Sequence, residues 1–488
     1  MRWMHDSSPH SFDWKGLTYA TKLGAICVLF CFMLQYSVPY AVAYTQPRPT
    51  PIAVVSAPLI QSAAAETVST STPVRVISTL TIADVVPPTG KFIAADLVNM
   101  RLYLYQDGTT TAEYQILSKG RPGTPYETPG GYYAILTKET DHYNAQEGVH
   151  MPYSMEFYGN YFIHGWPTYD DGTPVDSSYS GGCIRLSTAD AEKVYDFANV
   201  RTPVFVYDTG EATSAPPVAL AGTRVPAVSA DAYLVADLDN GAVYAEKDPE
   251  VERPIASLTK LMTALVANET IMFNDDITIS RGDLLTPSGP NATDTTPETL
   301  VVGDALYPLL MESNNHVADT LAQYYGTGAF VSWMNTEARA LDMASTAFVD
   351  PTGISRDDVS TPDDLYRLAV YLADKKSFVW SITRTPQKTI TAVNRSSYSF
   401  GNFNEFSGDS SFIGGKVGQT EAAKDTMVSV FSIPVDGQYR RIAIIVLGSD
   451  NDKSDEQRLR DWFIETAHSA QNTACASCAV PSYPTIPL

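Results

Sequence analysis

RPIASLTKLMTALV, residues 253–266, sets Leu258, Leu261, Met262, Leu265 and Val266 at i, i+3, i+4, i+7 and i+8, the apolar stripe of a helix pressed on a core. Ser257 opens that helix and Lys260 stands one turn on, on the same face, so a hydroxyl and an amine are juxtaposed. An N-cap serine followed by a solvated lysine gives the same tetrad without any chemistry. Upstream, AYLVADLDNGAVYAEKD (232–248) is a hairpin turning at Asn240-Gly241. Downstream come helical patterns over 304–325 and 362–374, two apolar strands (TMVSVFSI, 426–433; RIAIIVLG, 441–448) and a helix near 454–468. Helices packed on a sheet make this an α/β domain.

The segment before it differs in kind. KFIAADL (91–97), RLYLYQDG (101–108) and AEYQIL (112–117) are short β-branched and aromatic runs broken at Val98-Asn99 and Asp107-Gly108, which predicts a mainly β domain. TGEATSAPPVALAGTRVPA (209–227) separates the two domains, and Thr45–Pro88 holds no helical or strand period; both read as linkers. The expected order is a signal peptide or membrane anchor (1–44), a Pro/Thr/Ala-rich linker (45–88), the mainly β domain (89–208), a linker (209–228), the α/β domain (229–470) and a flexible tail (471–488). A chain of 488 residues has room for this multidomain plan.

Arg2, Lys15 and Lys22 precede an uninterrupted apolar run, Leu23–Leu34, and Ala41 and Ala43 form a small-x-small site, the pattern of an export signal. The uncharged stretch reaches Gln46, so an anchor retained in the membrane is the alternative. Lys and Arg number 33 against 55 Asp and Glu, a net charge of −22 that opposes phosphate-backbone binding and excludes nucleic acid as a partner.

Cys183, in YSGGCIRLS, is the only cysteine in either globular segment. Gly181 and Gly182 beside it allow close backbone approach and leave N–H groups to stabilise an oxyanion. His164, in YFIHGWP nineteen residues upstream, is a candidate base for the thiol, because the thiolate is the competent nucleophile. A core cysteine and a satisfied histidine are the bland readings of the two residues taken singly. His142 and His150 lack any Cys/His/Asp cluster at ligand spacing and are taken as surface histidines, so no metal and no cofactor is expected.

Together, His164-Gly165 and Ser180-Gly181-Gly182-Cys183-Ile184-Arg185 resemble the L,D-transpeptidase signature, and RPGTPYETPGGYYAI and MPYSMEF extend the resemblance over residues 91–208. It implies Cys183 as nucleophile, His164 as base, N–H groups near Gly182 and Cys183 as oxyanion hole, Ser180 in the same turn, and Arg185 fixing either a carboxylate or the loop. One departure is Gly181, where the family usually has a second histidine.

In the α/β domain Ser257-x-x-Lys260 is followed by Ser313-Asn314-Asn315 and by Gly414-Gly415-Lys416-Val417-Gly418-Gln419-Thr420, the order of the penicillin-binding serine acyltransferases. With FVDPTGIS and STPDDL, it resembles the D-alanyl-D-alanine carboxypeptidases over residues 230–450. The resemblance implies Ser257 as nucleophile, Lys260 as general base, Ser313 and Asn315 as proton relay and substrate-amide contact, Lys416 binding the terminal carboxylate, Gly418 at the substrate, and the N–H groups of Ser257 and Gln419 as oxyanion hole. Val417 replaces the usual Thr, and Lys424 stands where a Gly is common.

The function so implied is bifunctional modification of peptidoglycan, with stem peptides as substrates, β-lactams as covalent inhibitors and an exported location. An inactive wall-binding scaffold and a β-lactamase-like hydrolase are the alternatives, the latter lacking a Glu-x-x-Leu-Asn element. Cys475 and Cys478, in CASC, read as a local disulfide in the tail rather than a redox or metal motif, since no βαβ context or second pair accompanies them.

Overall fold

The structure, a computed structural model, describes residues 75–78, 80–208, 216–220, 224–435 and 437–476. The expectation for the leader lies outside the described residues, as does Cys478 of the expected disulfide. Among those described, no helix is long and apolar enough to cross a membrane. The described residues fall in one compact unit.

In chain order the first domain comprises β1 (Lys91–Asp96), β2 (Arg101–Gln106), β3 (Thr109–Gln115), β4 (Gly131–Ala134), β5 (Thr137–Asn144), β6 (Val149–Tyr158), β7 (Tyr161–His164), β8 (Ile184–Arg185), α1 (Thr188–Phe197) and β9 (Pro203–Tyr207). One sheet runs β3-β2-β1-β9-β4 and the other β5-β6-β7-β8. Alternate residues Ile93, Ala95, Leu102, Leu104, Val204 and Val206 meet Phe157, Ile163 and Ile184 in the core between them. The parallel pairing of β7 with β8 sets His164 opposite Arg185, which brings the end of one strand beside Cys183, the residue that leads into the other.

The second domain comprises β10 (Ala232–Asp237), β11 (Val243–Lys247), α2 (Thr259–Thr270), α3 (Val302–Met311), α4 (Asn315–Gln323), α5 (Thr327–Ala340), α6 (Pro362–Asp374), α7 (Ser377–Thr383), β12 (Phe412–Thr420), β13 (Lys424–Val435), β14 (Gln438–Ser449) and α8 (Asp452–Ala476). Its antiparallel sheet runs β11-β10-β14-β13-β12. Val235, Ile444 and Val446 face α8, whereas Leu234, Ile445 and Leu447 point to the opposite face and the helical core around α2.

Several expectations are corrected. The pattern over 304–325 is two helices: α3 stops at Met311 and Ser313, at φ +60°, turns the chain before α4 begins. The stripe on α2 marks one face of a helix whose twelve residues are all buried, Lys260, Asn268 and Glu269 included. Residues 75–77 of the first linker lie on the second domain, where Arg75 clamps Asp363 at 2.7 and 2.8 Å and Ile77 N–H donates to Gly241 O at 2.9 Å, extending the sheet at the edge hairpin. In the second linker Val218 is buried, and Pro216 O accepts from Arg440 Nη2 at 3.0 Å. α8 continues to Ala476, into the segment expected as tail.

The two domains share a buried boundary. Gly131, at φ +139°, lets β4 pass against α5; a Cβ there would lie 2.8 Å from that of Ala340. Tyr133 OH donates to Glu337 Oε2 at 3.1 Å, and Lys376 Nζ donates to Glu127 O at 3.2 Å while pairing with Glu269 Oε1 at 3.4 Å. Glu269, Glu337 and Lys376 are buried, and burial pushes both glutamate carboxyls up, Glu337 well above the usual range. One cation thus serves two sequestered carboxyls. Lys376→Ala, which leaves them without it, is expected to cost about 3–5 kcal/mol of stability, measured from the denaturant midpoint of the full chain. A change below about 1 kcal/mol would mean that the boundary does not depend on the pair.

Candidate active sites

Ser257 sits in a 3-10 turn, Ala256–Leu258, that leads straight into α2. Ala256 at φ +49° and the strand β12 fix its approach. A Cβ on Gly418 would lie 2.8 Å from Ser257 N, so the strand passes at contact distance only because that residue is Gly. Lys260 Nζ donates to Ser257 Oγ at 3.0 Å, Asn315 Oδ1 at 2.6 Å and Thr352 O at 2.5 Å. Burial lowers the amine to about 7, against the pull of nearby Asp350, Asp319 and Asp358. Lys416 Nζ reaches Ser313 Oγ at 3.0 Å and Val417 O at 2.7 Å, and burial, then the charge of Lys260, lowers it well below its ordinary value.

Ser257, Ser313, Asn315, Val417, Gly418 and Gln419 line a cleft of about 430 Å³. Lys416 is buried, with its ammonium against Ser313, which lines the cleft. The Gln419 side chain turns to Asp425, at 2.7 Å. Lys424 has φ +57°, the region where a Gly is at ease, and its ammonium pairs with Asp450 at 3.1 Å.

Sequence reasoning missed the Asp350–Ser355 turn as part of the site. Asp350 accepts from the N–H groups of Thr352, Gly353 and Ser355 at 2.6 to 2.8 Å, which aims Thr352 O at Lys260. A Cβ on Gly353 would lie 1.9 Å from Ala256 O. The Pro-Thr-Gly run was its signal. Asn314 is structural: its Oδ1 caps α4 through Val317 N at 2.9 Å.

In the first domain Cys183 and His164 line a second cavity of about 800 Å³. Gly182, at φ +118°, makes the turn; a Cβ would lie 2.1 Å from the Tyr161 ring. Ser180 Oγ donates to Cys183 O at 2.5 Å and accepts from Gly182 N at 3.1 Å. Of the two amides expected to hold an oxyanion, that of Gly182 is therefore engaged inside the turn. Arg185 Nη1 donates to Tyr179 O at 3.4 Å and to Ser177 O at 3.5 Å, tying the loop. A side chain in place of Gly181 would meet Glu147, whose Oε1 is 3.6 Å from the Cβ position.

His164 is fully buried, and its Nδ1 donates to Gly165 O at 2.6 Å. That bond fixes the tautomer with Nε2 unprotonated, and Nε2 has no partner among the described residues. Burial lowers the imidazole to about 3 and raises the thiol to about 11, so the resting pair is neutral on both sides. The thiol contacts Asn160 O at 3.8 Å. His142, taken as a surface residue, instead lines the cavity and stacks near Phe162, centroids 4.7 Å apart.

A serine beside a desolvated lysine, and a thiol sharing a cavity with a neutral imidazole, are the constellations of two acyl-transfer chemistries. The chain belongs to the D-alanyl-D-alanine carboxypeptidase family, which it matches over residues 219–451, and it carries an L,D-transpeptidase catalytic domain at residues 90–206. A D-alanyl-D-alanine endopeptidase of Pseudomonas aeruginosa is 35% identical over 194 residues, 39% of this chain and 62% of that protein. One of Escherichia coli is 29% identical over 251 residues, 49% of this chain and 79% of that protein. The D-alanyl-D-alanine carboxypeptidase DacB2 of Mycobacterium tuberculosis is 30% identical over 210 residues, 42% of this chain and 71% of that protein. The chain thus spans less than two thirds of the length of the Pseudomonas relative.

A thiol raised to about 11 is mostly protonated at neutral pH. Alkylation of Cys183 by iodoacetamide, followed by intact mass, should be slower than that of free cysteine at pH about 7 and still climbing at pH about 10. A rate that levels off below pH about 8 would reveal a preformed thiolate–imidazolium pair instead.

Proposed function

We propose that this chain is an exported, bifunctional peptidoglycan-modifying enzyme. In this reading Ser257 removes the terminal D-Ala from D-Ala-D-Ala stems, and Cys183 uses the shortened stems for L,D-transpeptidation. What carries the reading is one compact unit in which Lys260 Nζ lies 3.0 Å from Ser257 Oγ while Cys183 and His164 share a second cavity. Lys260 takes the Ser257 proton as Oγ attacks the penultimate D-Ala carbonyl; the terminal D-Ala leaves as amine, and water releases the acyl group. The N–H groups of Ser257 and Gln419 hold the oxyanion. Ser313 relays the proton with Lys416 behind it, and Asn315 Nδ2 is left for a substrate amide. At the other site Cys183 Sγ attacks the carbonyl of the third stem residue, His164 Nε2 takes the proton, and an amine from a neighbouring stem resolves the thioester. β-Lactams acylate both nucleophiles as carbonyl mimics.

A second reading of the serine site has its own support. Among the described residues that line the cleft, Glu312, Glu405, Asp425 and Asp452 face one cation, Lys453, while Lys260 and Lys416 lie buried behind Ser257 and Ser313. Such a cleft repels a free terminal carboxylate and suits an internal D-Ala peptide bond, as the endopeptidase name of two relatives suggests. A purified muropeptide dimer cross-linked through D-Ala, offered beside a pentapeptide, separates the two: faster cleavage of the dimer selects the endopeptidase.

Two outcomes test the main reading. Lys260 must be neutral to act as base, so labelling of Ser257 by a fluorescent penicillin should rise with pH through about 7 and then level, and Lys260→Arg should lose at least ~100-fold. A flat profile would remove Lys260 from that role. Given pentapeptide, the wild type should form cross-links between third residues, Cys183→Ala and His164→Ala should stop at tetrapeptide, and Ser257→Ala should cross-link only when supplied with tetrapeptide. Cross-linking of pentapeptide by Ser257→Ala at the wild-type rate would show that the domains act independently.

A further inference from the structure

Residues 350–355 wrap a single carboxylate beside the serine site. Asp350 Oδ1 accepts from Thr352 N–H and from Thr352 Oγ1, both at 2.6 Å, and from Gly353 N–H at 2.8 Å, while Oδ2 accepts from Ser355 N–H at 2.8 Å. The turn is pinned to α2, where Thr263 Oγ1 donates to Pro351 O at 2.6 Å. It is also pressed on the turn that carries Ser257, since a Cβ on Gly353 would lie 1.9 Å from Ala256 O. What it presents to the site is Thr352 O, which accepts from Lys260 Nζ at 2.5 Å. Gly353 and Ile354 line the cleft and Asp350 does not, so Asp350 reaches the chemistry only through another residue.

Shape alone does not call for a carboxylate there. Asn or Ser at the head of such a turn accepts the same kind of N–H bond without a charge. Among the described residues Asp350 forms no direct ion pair, and the cation it acts on, across Thr352 O, is Lys260. Burial would raise the Asp350 carboxyl, but the Thr352 hydroxyl and the N–H groups outweigh it and hold the group below its usual range. Asp358, fully buried, takes the N–H groups of Val349 and Asp350 at 2.7 and 3.2 Å, and burial, with the charge of Asp350 added, pushes its carboxyl up to about 7. Of the two neighbouring carboxyls, Asp350 is therefore the one that keeps its charge. The remaining charged groups that act on Lys260 are Asp319 on α4 and Lys416 on β12.

We propose that Asp350 is a positioning residue of the serine site: it aims Thr352 O at Lys260 Nζ and sets behind that carbonyl the negative charge that answers the ammonium formed when Lys260 takes the Ser257 proton. The proposal rests on the reading of Lys260 as general base. As Oγ attacks a carbonyl, the O–H bond of Ser257 breaks, the Oγ–C bond forms and the proton passes to Lys260 Nζ. The C–N bond then breaks, and the proton leaves for the departing nitrogen. Between those events Lys260 is cationic in a site whose burial disfavours a cation, and Asp350 stabilises it over that interval. The same charge keeps the resting amine from falling further below its ordinary value. The turn thus balances an amine neutral enough to accept a proton against one basic enough to hold it.

The test is the pH dependence of Ser257 labelling by a fluorescent penicillin, measured on the full chain. Asp350→Asn keeps an acceptor oxygen for the turn and removes the charge. It should move the inflection to lower pH by about one unit and lower the plateau about threefold, as a less basic amine requires. Asp319→Asn takes a carboxylate from α4 without touching the turn, and should move the inflection less. A cooperative denaturant transition reports folding, and if Asp350→Asn lacks one, Asp350→Ser, which heads the same turn through its hydroxyl, takes its place. An inflection that stays at the wild-type pH, whatever becomes of the plateau, makes the turn a structural part only and overturns the proposal. An upward shift, or a shift in Asp319→Asn as large as that in the Asp350 variant, overturns it too. A wild-type profile without an inflection overturns the base reading of Lys260 instead, and is seen before any variant is made.

Discussion

A helix buried on every face can keep polar residues only where each finds a purpose, and α2 is such a helix. Its first turn holds Lys260 between Ser257, Asn315 and Thr352 O; its last holds Asn268 and Glu269 against the first domain. Taking the ammonium out of water is what brings it near neutrality, so the packing of α2 sets the chemistry of the serine site directly. At the other end the same desolvation raises Glu269, which shares Lys376 with Glu337. Twelve residues at 1.5 Å each put about 18 Å between the two ends.

The Ser257 hydroxyl and the Cys183 thiol rest in different states for one physical reason. Ser257 has the Lys260 amine in hydrogen-bond contact, and burial disfavours the charged form of that amine. In the thiol site burial disfavours both the thiolate and the imidazolium, so it opposes charge separation twice. In the proposed thiol chemistry, proton transfer accompanies attack on a bound carbonyl rather than preceding it. The Nδ1 bond to Gly165 O prepares that step by leaving the lone pair on Nε2.

The motifs and the sheet strands were legible in the sequence because each depends on local spacing: Ser257 to Lys260 is one helical turn, and RIAIIVLG is an unbroken apolar run of strand length. Gly182 and Gly418 also declared themselves, since Tyr161 and Ser257 N occupy the room a Cβ would need. What could not be read was whatever depends on residues far apart in the chain. Lys260 could be read as a solvated lysine behind an N-cap serine, but the Asp350 turn covers it. Linker composition suggested free tethers, yet Arg75 and Val218 each found a buried or charged partner on the second domain. Gly131 gave no hint of its close approach to Ala340, which only tertiary packing creates.

A flexible tether would couple two activities through local concentration alone, with roughly 20 residues reaching ~25 Å. The shared boundary replaces that statistical coupling with a geometric one. Glu127, Tyr133 and Gly131 on one side and Lys376, Glu337 and Ala340 on the other are buried together, so separating the domains would expose charged groups and apolar surface at once. The wall that α2 lends to the thiol cavity has a defined shape only while that boundary holds. Residues 75–77 bind the edge hairpin of the second domain before the first domain begins, and Pro216 meets Arg440 after it ends, so the chain is held on the second domain on both sides of the first. The thiol cavity therefore owes part of its wall to the second domain, whereas the serine cleft is built from the second domain alone.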